Sequence, residues 1–138
     1  MATLNVTGLA ELTMDLDELA NLPDSVIEEM LQAEGKIIKQ AQEFTAAKML
    51  QGPYYAGGVA SAVEVGKMKK SRGNRVLFVT YKGTQHGNRV AEIAFVNEFG
   101  KRSQDPRPFI RVANEENAEV AVDAAAKIYD QYLTQKGF

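Results

Sequence analysis

The sequence predicts an α+β domain, with helices packed on one face of a small antiparallel sheet. Three stretches predict it. From about 25 to 50 apolar residues recur at helical spacing. Residues 76–81 (VLFVTY) are β-branched and aromatic, as a pleated strand prefers. From about 108 to 133 helical spacing returns.

At 138 residues the chain is read as a single domain, 1–138. Hydrophobic residues make up 45% and charged residues 25%, which suits a globular core and argues against wholesale disorder. The net charge of -2 and a pI near 5.5 argue against a protein that mainly coats nucleic acid. With no cysteine, disulfides and thiolate-metal sites are excluded, and the composition fits a reducing cytosol. The first twenty residues carry acidic side chains where a signal peptide is basic, so export by that route is not expected. No stretch approaches the roughly 18 apolar residues of a membrane span, and no membrane partner is expected.

Residues 2–8 alternate, with Leu4 and Val6 on one side, and read as a short strand or an N-terminal arm (1–8). Leu9, Leu12, Leu16 and Leu19 then suggest a short helix over about 9–20. Pro23 marks a boundary, with Asp24 or Ser25 expected to cap the long helix. Its apolar stripe is expected to be Val26, Met30, Ala33, Ile37, Ala41 and Phe44. Gly52 and Pro53 stop it. Two strands of a hairpin follow, over about 59–81, with the alternating Val59, Ser61, Val63 and Val65 leading the first. Between them lies a long basic loop, 66–75. Residues 82–88 read as loop. The stretch 88–99 reads as a short helix, with a third strand as the alternative, and Ala91, Phe95 and Phe99 share its helical face. Gly100 stands where a helix-ending glycine belongs, residues 101–107 form an exposed charged loop, and Pro108 suits a first helical turn. In the last helix Ile110, Asn114, Asn117, Ala121, Ala124, Ile128 and Tyr132 lie near one face, and the tail 134–138 is expected to fray.

Enzyme motifs are scarce. The single histidine, His86, lies between glycine-flanked loop residues with no recognisable partner nucleophile or orienting carboxylate, so a solvated loop histidine is preferred over a catalytic one. No calcium loop or phosphate loop occurs, and neither a metal nor a cofactor is expected. Lys67, Lys69, Lys70, Arg72 and Arg75 crowd nine residues. A solvated hairpin tip is the plain reading, and contact with phosphates or an acidic protein surface is the sharper one. Tyr54 and Tyr55 suit either interface anchors or loop packing.

The stretch 94–112, AFVNEFGKRSQDPRPFIRV, resembles a signature of the neck or tail-completion proteins of long-tailed bacteriophages, the "gene product ten-like" minor structural family. Phe95-Val96-Asn97-Glu98-Phe99-Gly100 matches the aromatic-Val-x-Glu-aromatic-Gly part. Pro106-Arg107-Pro108-Phe109-Ile110-Arg111 matches the Arg-Pro-Phe-Leu/Ile-Arg part, and Glu115-Glu116-Asn117 the acidic helix start. The opening NVTGLAELTMDLDELANLPDSV is similar to the family's strand, Gly-Leu, leucine-rich turn and long helix. One departure is the run 52–60, which lacks the family's Asp-Thr pair and its leucine. The resemblance implies a non-enzymatic structural subunit of the head–tail connector, in tail completion, tail termination or head–tail joining. It implies a homo-oligomeric ring, hexamer favoured and dodecamer as the alternative, meeting other connector and tail proteins. Genomic DNA would pass through the lumen. The location would be the virion neck, with the host cytoplasm during assembly. The structural motif residues would be Phe95, Glu98, Phe99, Gly100, Arg107, Pro108, Phe109 and Arg111. A nucleic-acid-binding module using 67–75 is the alternative function.

Overall fold

A computed structural model describes residues 4–7, 11–14, 22–50 and 58–135. Its strands are β1 (Leu4–Thr7), β2 (Glu11–Met14), β3 (Val63–Val65), β4 (Lys69–Ser71), β5 (Asn74–Tyr81), β6 (Thr84–Gln85) and β7 (Asn88–Arg89). Its helices are α1 (Asp24–Met49), α2 (Gly58–Ser61), α3 (Val90–Phe99) and α4 (Phe109–Gln135). The architecture is α+β, with α1 and α4 packed on a small antiparallel sheet.

β5 is the centre of the sheet. β2 lies on one side of it and carries β1 outward; β3 and β4 lie on the other. All of these pairings are antiparallel. Along β5, Leu77 and Val79 are buried and Tyr81 is half-buried, while Phe78 and Thr80 face outward, the period of two that a pleated strand imposes. Val65 pairs with Val79 but Lys69 pairs with Val76, so three residues (66–68) face two (77 and 78). β3 and β4 are therefore one strand interrupted by a bulge, entered at Gly66, whose N–H donates to the Phe78 carbonyl at 2.8 Å.

Three expectations about the strands are corrected. The helix over 9–20 gives way to β2 at Glu11–Met14, because pairing with β5 (Glu11 to Phe78, Met14 to Arg75) overrides the leucine spacing. Residues 15–21 lie outside the described residues, as do Gly52, Pro53, Tyr54, Tyr55 and the tail 136–138. The segment 4–7, expected as strand or arm, is a strand of this chain's own sheet. The first hairpin strand is only Val63–Val65, since Gly58–Ser61 winds into a helical turn. The long basic loop is instead ordered as a bulge (66–68), β4 (69–71) and the start of β5 (74–75), the two strands closed by a two-residue turn. Arg72 (φ +50) and Gly73 (φ +81) both have positive φ, as a type I′ hairpin turn demands. His86 (φ +53) and Gly87 (φ +79) make the same turn between β6 and β7, in the expected loop.

The Asp24 and Ser25 side chains do not cap α1. Its N-cap is Pro23, which makes no side-chain cap bond. The apolar stripe is also displaced. Met30 and Ala41 are buried, but Val26, Ala33 and Ile37 are half-buried and Phe44 is 71% exposed. The buried face is instead Ile27, Met30, Leu31, Glu34, Ile38, Ala41, Gln42, Thr45 and Ala46. A helix clamped between a sheet and a second helix buries a wide arc, and polar residues within it escape a reading by hydrophobicity.

In α4, Ile110, Asn114 and Ala121 are buried as expected, joined by Phe109, Ala113 and Ala125. Gln42, late in α1, bonds Asn114, early in α4, while Ile27, Met30 and Leu31 cluster with Ala121 and Ala125, so the two helices run antiparallel. The apolar interior forms two clusters. One gathers the first half of α1, β3, β5 and the middle of α4. The other gathers Ala46, Leu50, Val59, Val90, Ala94, Phe109 and Ile110. Tyr81 packs against both.

Glu34 is fully buried, and among the described residues neither carboxyl oxygen has a hydrogen-bond partner. Burial raises its pKa from 4.5 to about 7. Between those values the native state keeps a proton that the unfolded chain has released. Stability from this group is therefore present below pH 4.5 and falls as pH rises through 7, by on the order of 3 kcal/mol. Glu34→Gln should flatten this slope, matching the parent near pH 4 and exceeding it in denaturant midpoint at pH 8. An unchanged pH dependence in the variant would assign the slope to another group.

Candidate functional site

The segment joining α3 to α4 turns on residues that can take no ordinary substitute. Gly100 has φ +78 and ψ 178, a region open essentially to glycine alone. A Cβ there would lie 2.9 Å from the Gln104 carbonyl oxygen and from both N and Cδ of Pro106. The Gly100 N–H still donates to the Val96 carbonyl at 2.7 Å, closing α3. Lys101 and Gln104 then exchange backbone hydrogen bonds of 2.9 and 3.0 Å, which folds the charged loop into a tight turn.

Asn97 holds the turn from within. It is fully buried, donates from Nδ2 to the Ile93 carbonyl (2.9 Å), and accepts at Oδ1 from Gln104 Nε2 (3.1 Å). Its backbone carbonyl accepts the Arg107 N–H at 2.5 Å. Next to it, Glu98 reaches across to the start of α4. Oε1 accepts the Arg111 N–H at 2.8 Å, and Oε2 accepts the Ile110 N–H at 3.2 Å. These N–H groups lie in the first turn, where a helix has no internal acceptors and its dipole favours a negative charge. Glu98 therefore caps a helix from another helix. Its burial raises the carboxyl pKa; the Arg111 and Ile110 N–H bonds and the Arg111 charge pull the other way.

Phe109 is fully buried and meets the Tyr81 ring edge to face, with centroids 6.0 Å apart. The Tyr81 hydroxyl donates to Gln42 Oε1 at 2.7 Å, and Gln42 Nε2 donates to Asn114 Oδ1 at 3.0 Å. Burial, together with the charges of Glu98 and Glu43, raises the Tyr81 pKa and keeps it a donor. Pro108 immediately precedes α4, and its carbonyl accepts the Val112 N–H at 3.0 Å. Arg107 is half-buried and the Arg111 side chain lies at an exposed position.

The motif thus divides. Glu98, Gly100, Pro108 and Phe109 join at the α3–α4 turn. Phe95 and Phe99 do not. They share one helical face, as expected, but the buried residues of α3 are Val90, Ala94, Asn97 and Glu98. Phe95 and Phe99 are 54% and 55% exposed, their rings tilted against each other with centroids 4.8 Å apart. Polar Asn97 and Glu98 take the inward positions because the turn and the α4 start supply them with bonding partners.

The basic residues lie away from this turn. Lys67, Lys69, Lys70 and Arg72 are exposed on the β4–β5 hairpin. Arg75 does not belong with them: it is half-buried, and its Nε bonds Asp24 Oδ1 at 3.1 Å, pinning the hairpin to the start of α1. Lys70 approaches the same carboxylate at 3.9 Å. His86 occupies a turn position of the β6–β7 hairpin.

Sequence reasoning missed Asn97, Gln42 and Tyr81 as bonding centres. The available signal was an amide or carboxyl placed on an otherwise apolar helix face. Among the described residues no group of three or more His, Cys, Asp or Glu side chains could hold a metal ion, and no helix is long and apolar enough to cross a membrane. No family model matches the chain, and neither a curated protein nor a solved structure shows significant similarity to it.

Gly100→Ala should lower stability by about 1–3 kcal/mol from backbone strain alone, with the Pro106 clash added. Glu98→Ala should lower it by about 1–3 kcal/mol, because it strands two N–H groups at a buried helix start, and Glu98→Gln should recover part of the loss. Urea unfolding measures both. A Glu98→Ala protein as stable as its parent would show that the cap contributes nothing.

Proposed function

We propose that the chain is a structural subunit of the connector between capsid and tail of a tailed bacteriophage, working in tail completion or head–tail joining. It acts by protein–protein contact, without catalysis or a cofactor. In the proposed assembly copies associate head to tail into a closed ring, six being favoured over twelve, with genomic DNA passing through the lumen. The site of action is the virion neck, reached from the host cytoplasm during assembly.

The observation that carries this reading is the block Phe95–Arg111, whose residues resemble the neck-protein signature. What supports it further is that the glutamate, glycine, proline and second phenylalanine of that block work as one interlocked turn, as a selected motif would. The two remaining aromatics, Phe95 and Phe99, lie exposed side by side, in keeping with a protein that presents apolar surface to partners.

A second reading, a small nucleic-acid-binding module, is favoured by Lys67, Lys69, Lys70 and Arg72. They form an exposed cationic finger with no acidic residue among them. It requires DNA binding that weakens steeply as salt rises.

Disrupting the gene in its phage should leave filled heads and tails unjoined, counted by electron microscopy of lysates. Normal, infective particles would overturn the reading.

A further inference from the structure

A basic hairpin and an acidic stretch of α4 lie on different parts of the α1–α4 pair. The β4–β5 hairpin carries Lys67, Lys69, Lys70 and Arg72, all exposed. It is tied to Asp24, the first residue of α1. Among the described residues, Lys67, Lys69 and Arg72 form no ion pair. On α4, Glu115, Glu119 and Asp123 follow at four-residue spacing and share one side, with Glu116 beside them; exposed Arg111 and Lys127 continue the same spacing at either end. All four acidic residues are exposed, and none is paired among the described residues.

Beside this acidic side lies a groove of about 470 Å³ between α1 and α4, lined by the apolar Ile37, Ala41, Phe44 and Val120 and by the polar Gln40, Thr45, Glu116 and Asn117. Phe44 is 71% exposed and Val120 is 53% exposed, both unusual for large apolar side chains. Residues 37–44 lie 13–20 helical positions from Asp24, about 20–30 Å along the axis at 1.5 Å per residue. The finger, tied to Asp24 through Arg75, is therefore set apart from the groove within one chain, although its base lies nearer, where Gln32 Nε2 donates to the Gly66 carbonyl at 3.0 Å.

We propose that they meet between chains: the β4–β5 hairpin of one copy seats against the α1–α4 groove of the next, its lysines and Arg72 facing Glu115, Glu116, Glu119 and Asp123. The occupant is a second copy, because this chain itself carries the complementary charge, on α4 beside the groove. The contact joins unlike surfaces, so it repeats head to tail and yields a ring or a filament rather than a two-fold dimer. The proposal rests on the reading of the chain as a self-assembling subunit and names the interface through which it assembles.

Charge reversal tests it on the full chain by sedimentation velocity at low ionic strength. One variant carries Lys67→Glu, Lys69→Glu, Lys70→Glu and Arg72→Glu. The other carries Glu115→Lys, Glu116→Lys, Glu119→Lys and Asp123→Lys. All eight positions are exposed, and circular dichroism checks that each variant keeps its fold. The parent should associate, with affinity falling about tenfold or more as added salt shortens the Debye length from about 30 Å to about 3 Å. Each variant alone should sediment as a monomer. An equimolar mixture should recover the parent's assemblies, since each then offers the charge the other needs.

Phe44→Ser should weaken association of the parent without loss of fold. Association unaffected by either reversal, or no recovery in the mixture, would overturn this interface while leaving the connector reading to the particle phenotype. A monomeric parent at low salt that retards duplex DNA through the hairpin would overturn it in favour of nucleic-acid binding.

Discussion

The side-chain amide of Gln42 occupies the position on which the packing of this domain turns. An amide has one acceptor end and one donor end, and here both are used: the oxygen takes the Tyr81 hydroxyl of β5, and the nitrogen gives to Asn114 of α4. Gln42 is fully buried, so water cannot substitute for either partner. Sliding α1 by one residue along α4, or shifting β5 beneath it, would leave buried polar groups unpaired at roughly 1–3 kcal/mol each. Apolar contacts alone tolerate such slips far better, because dispersion and hydrophobic burial have little direction. The polar chain therefore fixes the register of the antiparallel helix pair over the sheet, between the two apolar clusters that supply the bulk of the burial.

From that point order spreads to the α3–α4 turn through one ring contact. Tyr81 is held by its hydroxyl and offers its ring to Phe109, the first residue of α4. Once Phe109 is seated, the first-turn N–H groups of α4 are fixed in space, and Glu98 can reach them only if α3 ends where it does. Gly100 enforces that ending, because its backbone conformation and the approach of Pro106 exclude any Cβ. The motif that reads in sequence as one badge is thus a mechanical chain of cap, turn and anchor. Phe95 and Phe99 fall outside it, with their rings toward solvent.

The fold class was legible because it rests on periodicity over long stretches: α1, β5 and α4 all extend far enough for spacing to speak. What failed were short elements decided by their neighbours. Glu11–Met14 has leucine spacing suited to a helix, yet it is a strand because β5 offers a free edge. The two I′ turns hid in residues that favour them poorly. Arg72 and His86 stand where asparagine or glycine is usual, though Gly73-Asn74 and Gly87-Asn88 repeat the same pair after each. At the candidate site, glycine and proline announced the turn correctly. The role of Glu98 was invisible, because its partners are N–H groups twelve and thirteen residues away, placed by tertiary structure.

Net charge is a weak guide for the same reason. A total of -2 suggests a nearly neutral surface and argued against a nucleic-acid-coating protein. In the folded chain that total conceals a cationic hairpin and an anionic stretch of α4 on different parts of the surface. At physiological ionic strength the Debye length is about 8 Å, so charges tens of ångströms apart on one molecule scarcely sense each other. Each patch therefore meets an approaching partner with its own sign, and the composition describes neither. The Asp24–Arg75 pair gives this separation its direction, since it ties the cationic hairpin to the start of α1 while the anionic residues belong to the first half of an antiparallel α4. The proposed contact between copies would pair these unlike patches, whereas side-by-side stacking of parallel copies would set like patches against one another.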